Sequence, residues 1–156
     1  MVTFGKKTQV CGFMCGKRID EVSNNVFKVP GRLNSTWGGN LVDMVRSQRY
    51  LEIIHEENLV ENARAAGEYL LVRLRKLQAE SPSLVSNARG RGLFCAFDLP
   101  TPDERLQLRK KAYEKGLIVL GSGERSIRFR PPLNIKPEEI DEGVEILQRS
   151  LGEMKR

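Results

Sequence analysis

An arginine-bearing segment in the last quarter of the chain has the residue types that bind a carboxylate. Apolar and charged residues alternate in Ile127-Arg128-Phe129-Arg130, so a strand would turn both arginines to one face. A guanidinium on a stiff strand can bind a carboxylate through two parallel hydrogen bonds. Two prolines follow at once, and the alternative is an edge strand with two solvated arginines. Both interpretations stay open at this point.

Lys6 has the position and the neighbours of a possible nucleophile. It follows a short apolar segment and Gly5, which lets the backbone approach another group closely. A lysine amine forms a Schiff base only after losing its proton, and partial burial or a neighbouring cation such as Lys7 promotes that loss. The alternative is that both lysines are exposed at a frayed terminus.

A third candidate is the loop Ser35-Thr36-Trp37-Gly38-Gly39-Asn40, which directly precedes a predicted helix. Its two hydroxyls and its free backbone N–H groups suit a phosphate. The same residues also fit an ordinary helix cap with a tight turn. The residue types do not decide between these two roles.

The elements that must position these residues can be read from hydrophobic periodicity. Helices are predicted at 40–58, 59–81, 101–115 and 137–151. Strands are predicted at 2–4, 10–14, 26–29, 84–88, 92–99, 117–120 and 127–129, with a turn at 121–123. From Asn58 onward the pattern predicts a compact α+β unit, with helices over a small, mainly antiparallel sheet.

Composition limits the classes of function. The 156 residues carry a formal charge of +6, but basic and acidic residues are interspersed, and one copy of Arg89-Gly90-Arg91-Gly92 reads as a turn into a buried strand. We therefore expect no nucleic-acid partner. Cys11, Cys15 and Cys95 lack the further ligands of a metal site, so we expect buried free thiols and no metal. No apolar run approaches a membrane span and the start lacks a signal peptide's apolar centre, which predicts a cytoplasmic location without membrane association.

Taken together, these segments resemble one family. The runs 3–6, 35–40, 89–93 and 127–133 are similar, in order and separation, to the class III, omega-type aminotransferases that use pyridoxal 5'-phosphate. Within that family the run 32–46 most resembles the L-lysine 6-aminotransferases. The 4-aminobutyrate aminotransferases, which act on another omega-amino acid, share the Lys6 and Arg128 segments but match this run less well.

The resemblance implies a role for each matching residue. Lys6 would be the catalytic lysine that binds the cofactor covalently and then moves a proton. Ser35 and Thr36 would reach the cofactor phosphate of the neighbouring subunit in a homodimer. Arg128 would bind the α-carboxylate of glutamate or 2-oxoglutarate, and Arg130 is the weaker candidate. Amino acids and 2-oxo acids would be the substrates.

The resemblance also implies a domain organisation. Residues 1–40 would be the end of the large cofactor-binding domain, 41–57 an interdomain helix, and 58–156 the small C-terminal domain of a fold-type I aminotransferase. Only five residues precede Lys6, whereas the family places the carboxylate partner of the pyridine nitrogen before the lysine. Asp20, Asp43 and Asp98 follow Lys6 and are not assigned that role.

We therefore expect the chain to be the C-terminal part of such an enzyme and to be inactive alone. The reaction would transfer the terminal amino group of L-lysine to 2-oxoglutarate. A noncatalytic remnant that serves as a binding or dimerisation module is the alternative from another functional class.

Overall fold

The computed structural model describes residues 1–33 and 35–154, which form two compact units. The first unit ends at Glu57 and the second begins at Asn58. Within the described residues, no helix combines the length and the hydrophobicity required to cross a lipid bilayer.

The first unit is built from short elements. Strands β1 (Val2–Phe4) and β2 (Gly12–Met14) pair antiparallel, and a one-turn 3₁₀ helix, Lys6–Thr8, lies between them. A second 3₁₀ helix spans Lys17–Glu21, and helix α1 spans Leu41–Glu56. The prediction of β1 is confirmed, and β2 is shorter than the predicted 10–14.

The strand predicted at 26–29 is wrong, because Asn25 organises this segment into turns. The Asn25 amide donates to the carbonyls of Ile19 and Val22, and its Oδ1 accepts from the Phe27 backbone N–H. An asparagine side chain that bonds to nearby backbone groups competes with strand pairing. The valines of this segment therefore lie in a turn despite their preference for strands.

Apolar side chains of the first unit remain uncovered. Asn25 is the only buried residue among the described residues of this unit. Every residue of α1 is described and none is buried, and Leu41 and Val45 are 74% and 69% exposed. The described residues of this unit therefore form no buried hydrophobic core, and exposed apolar patches of this kind mark association surfaces.

The second unit contains the core. Helix α2 (Leu59–Glu80) precedes strands β3 (Ser86–Arg91) and β4 (Phe94–Asp98), and helix α3 (Pro102–Glu114) follows them. Strands β5 (Leu120–Ser122) and β6 (Ser126–Phe129) lead to helix α4 (Pro137–Gly152). The sheet is antiparallel with the order β3-β4-β6-β5, and α2 packs against both β3 and α4. The predicted α+β arrangement is confirmed.

The two faces of this sheet differ in chemistry. Phe97 and Ile127 point into the core, where Leu74 of α2 and Leu147 of α4 are also buried. Burying side chains of this size contributes about 1.5–3 kcal/mol each. The opposite face, here called the outer face, carries Arg89, Phe94, Ala96, Asp98, Ser126 and Arg128.

The end of α3 displaces β5 from its predicted position at 117–120. Gly116 has φ of +89°, and its N–H donates to the Tyr113 carbonyl while the Leu117 N–H donates to the Ala112 carbonyl. This pair of bonds is the Schellman motif, which satisfies the last carbonyls of a helix. Leu117 therefore belongs to the helix cap, and the strand begins three residues later. The predicted turn at 121–123 shifts accordingly, because Ser122 still pairs with Ser126.

Asp98 is a buried acid at the end of β4. It accepts hydrogen bonds from Ser126 Oγ at 2.6 Å, Asn87 Nδ2 at 2.8 Å and the Arg89 guanidinium at 2.9 Å. Burial alone raises the pKa of Asp98, but the bonds from Ser126, Asn87 and Arg89 together outweigh it and hold the pKa below its ordinary value of 3.8.

We expect Gly67→Ala to lower the free energy of unfolding by about 1–3 kcal/mol through overpacking. A Cβ at Gly67 in α2 would collide with the backbone carbonyl of Gly92, although alanine favours a helix by about 1 kcal/mol. Urea denaturation followed by circular dichroism measures the change. Gly143→Ala in α4 is the matched control, because its Cβ would lie 3.7 Å from the Leu117 side chain, and this variant should be unchanged or more stable. Equal losses in both variants would contradict the packing argument.

We expect Asp98→Asn to destabilise the fold by about 1–3 kcal/mol near neutral pH, because its three donors lose a charged acceptor. The pKa of Asp98 is lower in the folded than in the unfolded state, so its contribution is complete above the unfolded value near 3.8 and disappears as pH falls through the folded value. The stability difference between wild type and Asp98→Asn should therefore narrow below about pH 4. A difference that stays constant down to pH 2.5 would show that the carboxylate charge is not responsible.

Candidate functional site

Arg128 lies on an inner strand. Strand β6 has β4 on one side and β5 on the other, and Arg128 pairs with Ala96 and with Leu120. Ile127 is fully buried on the core side, so the predicted alternation of faces is confirmed. The edge-strand alternative is wrong, because β5 covers that side of β6. The strand that carries Arg128 is thus held by a neighbouring strand on each side.

The side chain of Arg128 is unpaired within the part of the chain that the structure describes. Its Nε is buried without a hydrogen-bond partner, and no described carboxylate forms an ion pair with its guanidinium. Nε of Arg73 and of Arg105 is also buried and unbonded, but Arg73 lies 3.0 Å from Asp141, and Arg105 donates to the Gly123 carbonyl. A buried donor left unsatisfied costs about 1–3 kcal/mol. Arg128 is therefore a charged group ready for an external acceptor.

Arg130 is placed differently from Arg128. Its guanidinium carbon lies 5.9 Å from the centre of the Phe94 ring, in the range of a cation–π contact. The residue is exposed, and it follows the last residue of β6. Its charge is thus partly used by an aromatic ring of the same face, which is consistent with Arg130 as the weaker candidate.

Two concave regions adjoin Arg128. A cavity of about 340 Å³, lined mostly by apolar residues of α4 and of the segment 117–120, includes Arg128 in its wall. A second depression, on the outer face, is lined by Arg89, Arg91, Phe94, Ala96, Ser126 and Arg128. An anion in this depression would meet guanidinium groups beside an aromatic ring, which suits a small carboxylate.

Lys6 is exposed and begins the 3₁₀ helix between β1 and β2. Its φ is +60°, in the left-handed region that residues other than glycine seldom adopt. Such strained backbone positions persist where surrounding structure maintains them, and they cluster at functional sites. The partial burial suggested for Lys6 is not provided by the described residues. The amine of Lys6 is accessible to a carbonyl compound.

Ser35 and Thr36 occupy a turn before α1. The Gly38 N–H donates to the Ser35 carbonyl at 3.0 Å, and Asn40 Oδ1 accepts from the Val42 N–H at 3.0 Å. Asn40 therefore caps the helix, which removes that task from the two hydroxyls. Both residues are exposed, and neither hydroxyl is bonded to another described residue. These free donors fit a phosphate.

The sequence-predicted site residues fall in both units. Lys6, Ser35 and Thr36 belong to the first unit, whereas Arg128 belongs to the second. Asn34, within the run most like the L-lysine 6-aminotransferases, lies outside the described residues. Of the three cysteines, Cys95 is buried but Cys11 is exposed, which corrects the expectation that all three are buried.

Sequence reasoning did not identify the cluster around Asp98. Arg89 was interpreted as part of a turn, but it lies in β3 and binds Asp98 and Ser126. Asn87 has φ of +54° at an irregularity in the β3–β4 register, which lets its amide reach Asp98. The sequence contains one signal for this cluster. Asn87 stands two residues before Arg89, and asparagine tolerates the left-handed conformation found at a bulge.

Comparisons with known proteins identify relatives across nearly the whole chain. The chain is 52% identical over 151 residues to an L-lysine-epsilon aminotransferase of Mycobacterium tuberculosis and 50% identical over 152 residues to that of Streptomyces clavuligerus. It is 36% identical over 155 residues to the mitochondrial 4-aminobutyrate aminotransferase of Sus scrofa. These matches cover 97%, 97% and 99% of the chain but only 34%, 33% and 30% of the relatives. The chain thus spans about a third of the length of the curated relatives it matches.

The solved structures agree with these relatives. A lysine aminotransferase from M. tuberculosis matches 96% of this chain and 34% of its own length, with a TM-score of 0.90 and 52% identity. An ornithine aminotransferase from Plasmodium yoelii matches 80% of this chain and 33% of its own, with a TM-score of 0.71 and 33% identity. The family model for class III aminotransferases matches residues 1–151. The chain therefore belongs to the class III aminotransferase family.

Proposed function

We propose that this chain is the part of an L-lysine 6-aminotransferase that supplies the catalytic lysine, a phosphate-binding turn and the arginine for the amino acceptor. The acceptor would be 2-oxoglutarate, and the cofactor pyridoxal 5'-phosphate. The observation that carries the proposal is the unpaired guanidinium of Arg128 on an inner strand, in a chain that is 52% identical to lysine aminotransferases. The lower identity of 36% to a 4-aminobutyrate aminotransferase makes that activity the less supported one.

The residues present fit the cofactor in two respects. Lys6 offers an accessible amine for its covalent attachment, and Ser35 and Thr36 offer unbonded hydroxyls to a phosphate. When bound, pyridoxal phosphate withdraws electrons from the substrate carbon whose proton is removed. Nζ of Lys6 would accept that proton and would deliver one to a carbon of the cofactor. In a homodimer, Ser35 and Thr36 would bind the phosphate of the partner's site.

Arg128 would act by binding and orientation. Its guanidinium can hold the α-carboxylate of 2-oxoglutarate or glutamate through two parallel hydrogen bonds, and the double-sided ladder of β6 limits its motion. Lysine reacts through its side-chain amine, so its own α-carboxylate would lie away from the cofactor and need another anchor. Arg128 should therefore serve the half-reaction of the acceptor more than that of lysine.

The proposed roles of Lys6 and Arg128 can both be tested in a chimera, in which this chain replaces the matching 34% of the M. tuberculosis relative. We expect reduction with borohydride in the presence of pyridoxal phosphate to label Lys6, as located by peptide mass spectrometry. Lys6→Ala should lose the label, because this variant has no amine at the position proposed for cofactor attachment. Lys7→Ala is the matched control and should keep it. A label on Lys7 alone, or none on Lys6, would refute the assignment of the covalent anchor.

We expect Arg128→Gln to reduce kcat/KM for 2-oxoglutarate roughly tenfold to hundredfold, the usual loss for a bond between charged groups. Arg128→Lys keeps the charge but loses the paired hydrogen bonds, so its effect should be intermediate. The value of kcat/KM for lysine should change much less in either variant. Arg130→Gln is the control from the same face and should leave both values near wild type. Equal losses for lysine and 2-oxoglutarate in Arg128→Gln would argue against selective binding of the acceptor.

A further inference from the structure

We propose that Arg89 is a positioning residue: by binding Asp98, it keeps this carboxylate away from Arg128 and leaves Arg128 free for the carboxylate of the amino acceptor. The inference rests on the proposed function of Arg128. It concerns residues of the outer face that no comparison assigns to the reaction.

The register of the sheet places Asp98 within reach of Arg128. Asp98 pairs with Ser126, and Ala96 pairs with Arg128, so Asp98 and Arg128 are diagonal neighbours on two adjacent strands. Diagonal neighbours on one face lie about 7–8 Å apart, a separation that long side chains can bridge. Arg91 pairs with Phe94 and thus lies one row farther from Asp98 than Arg128 does. An unengaged Asp98 would therefore have Arg128 as an available cation.

The structure shows that Asp98 is engaged elsewhere. Its Oδ1 accepts from Arg89 and Ser126, and its Oδ2 accepts from Asn87. Only 9% of the Asp98 side chain is exposed, compared with 46% for Arg89. Arg89 is fixed in turn by the Asn87 carbonyl at 2.9 Å and by Ser126 Oγ at 3.2 Å. The carboxylate is thus neutralised by one arginine, and its hydrogen-bonding capacity is occupied.

Arg128 has no such partner among the residues that the structure describes, although it carries the same charge on the same face. Ala96 stands between Arg89 and Arg128 in the row that crosses the sheet, and its small side chain leaves the space between the two guanidinium groups open. The Asp98 carboxylate and the Arg128 guanidinium carry opposite charges, and such charges attract each other more strongly in a partly dehydrated setting than in water. We therefore attribute the availability of Arg128 to the fact that Asp98 is bound by Arg89 and not by Arg128.

Removing the cation at position 89 should change this balance. In Arg89→Gln, Asp98 loses its charged partner, and pairing with Arg128 becomes its most favourable alternative. The acceptor's carboxylate must then displace Asp98 from Arg128. The cost appears as weaker acceptor binding, whereas the steps that involve Lys6 and lysine are unaffected.

The experiment compares Arg89→Gln, Asp98→Asn and the double variant in the same chimera. We expect Arg89→Gln to raise KM for 2-oxoglutarate roughly tenfold with kcat within about twofold, and to leave kcat/KM for lysine unchanged. The double variant should return KM for 2-oxoglutarate to near the wild-type value, because the competing carboxylate is absent. An Arg89 that bound the acceptor directly would show no such rescue. Arg75→Gln, on the exposed side of α2, controls for the loss of one positive charge.

A second measurement does not require turnover. Glutarate is titrated into the 156-residue chain while the Nε–H signal of Arg128 is followed by nuclear magnetic resonance. Glutarate should bind more weakly to Arg89→Gln than to wild type, and the double variant should recover. Ser126→Ala, which removes one donor to Asp98, should shift the affinity in the same direction by less.

The outcomes separate the two proposals. A chimera that binds glutarate at Arg128 but does not transaminate lysine would refute the proposed function while the role of Arg89 is still measured by glutarate affinity. An unchanged acceptor KM and glutarate affinity in Arg89→Gln would overturn the positioning role, and so would a loss that Asp98→Asn does not reverse. If Arg89→Gln does not fold, as judged by thermal unfolding, Ser126→Ala with and without Asp98→Asn provides the same comparison.

Discussion

The proposed binding of an acceptor carboxylate depends on a guanidinium that is held on one face of a small sheet without a partner among the described residues. Arg128 meets these conditions because β6 is flanked by β4 and β5, while Ile127 anchors the same strand in the core. A cation at the surface of a folded domain ordinarily finds a carboxylate of its own chain. Asp98, the acid of the outer face, is bonded to Arg89, Ser126 and Asn87 instead, which under the proposed function leaves Arg128 available to a ligand.

The outer face shows how neighbouring polar residues can be kept apart. Asp98 is satisfied by a serine, an asparagine and an arginine, and these four side chains form a closed set beside Arg128. Polar side chains that lack some of their hydrogen bonds can exchange partners, whereas a group of side chains whose hydrogen bonds are all formed favours one arrangement. The irregular register near Asn87 lets its amide reach Asp98, and Ala96 lies between Arg89 and Arg128 in the row that crosses the sheet. Under the proposed role of Arg89, stability and ligand binding are linked through one buried carboxylate.

The two units differ in how far they bury their apolar side chains. The second unit buries leucines and isoleucines of α2 and α4 against the inner face of its sheet. The first unit presents Leu41, Val45 and other apolar residues of α1 at its surface. The relatives of this chain are about three times as long as the chain. The exposed apolar residues of the first unit are consistent with packing against another part of such an enzyme, or against a second subunit. Lys6 and the turn proposed to bind phosphate belong to the first unit, whose described residues bury no hydrophobic core, whereas Arg128, proposed to bind the acceptor, belongs to the second unit, which has one.

Local sequence determined the helices, the alternation around Arg128 and the class III resemblance, because periodicity and motifs depend on residues a few positions apart. Strand limits and the segment at 26–29 were not predictable in the same way, since the Schellman motif at Gly116 and the buried amide of Asn25 competed with strand preference. The sequence named Arg128, Lys6, Ser35 and Thr36 by type and order. Only the tertiary structure decided that Arg128 is on an inner strand and unpaired, and that Arg89 rather than Arg128 binds Asp98, because strand order and register bring together residues that are far apart in the chain.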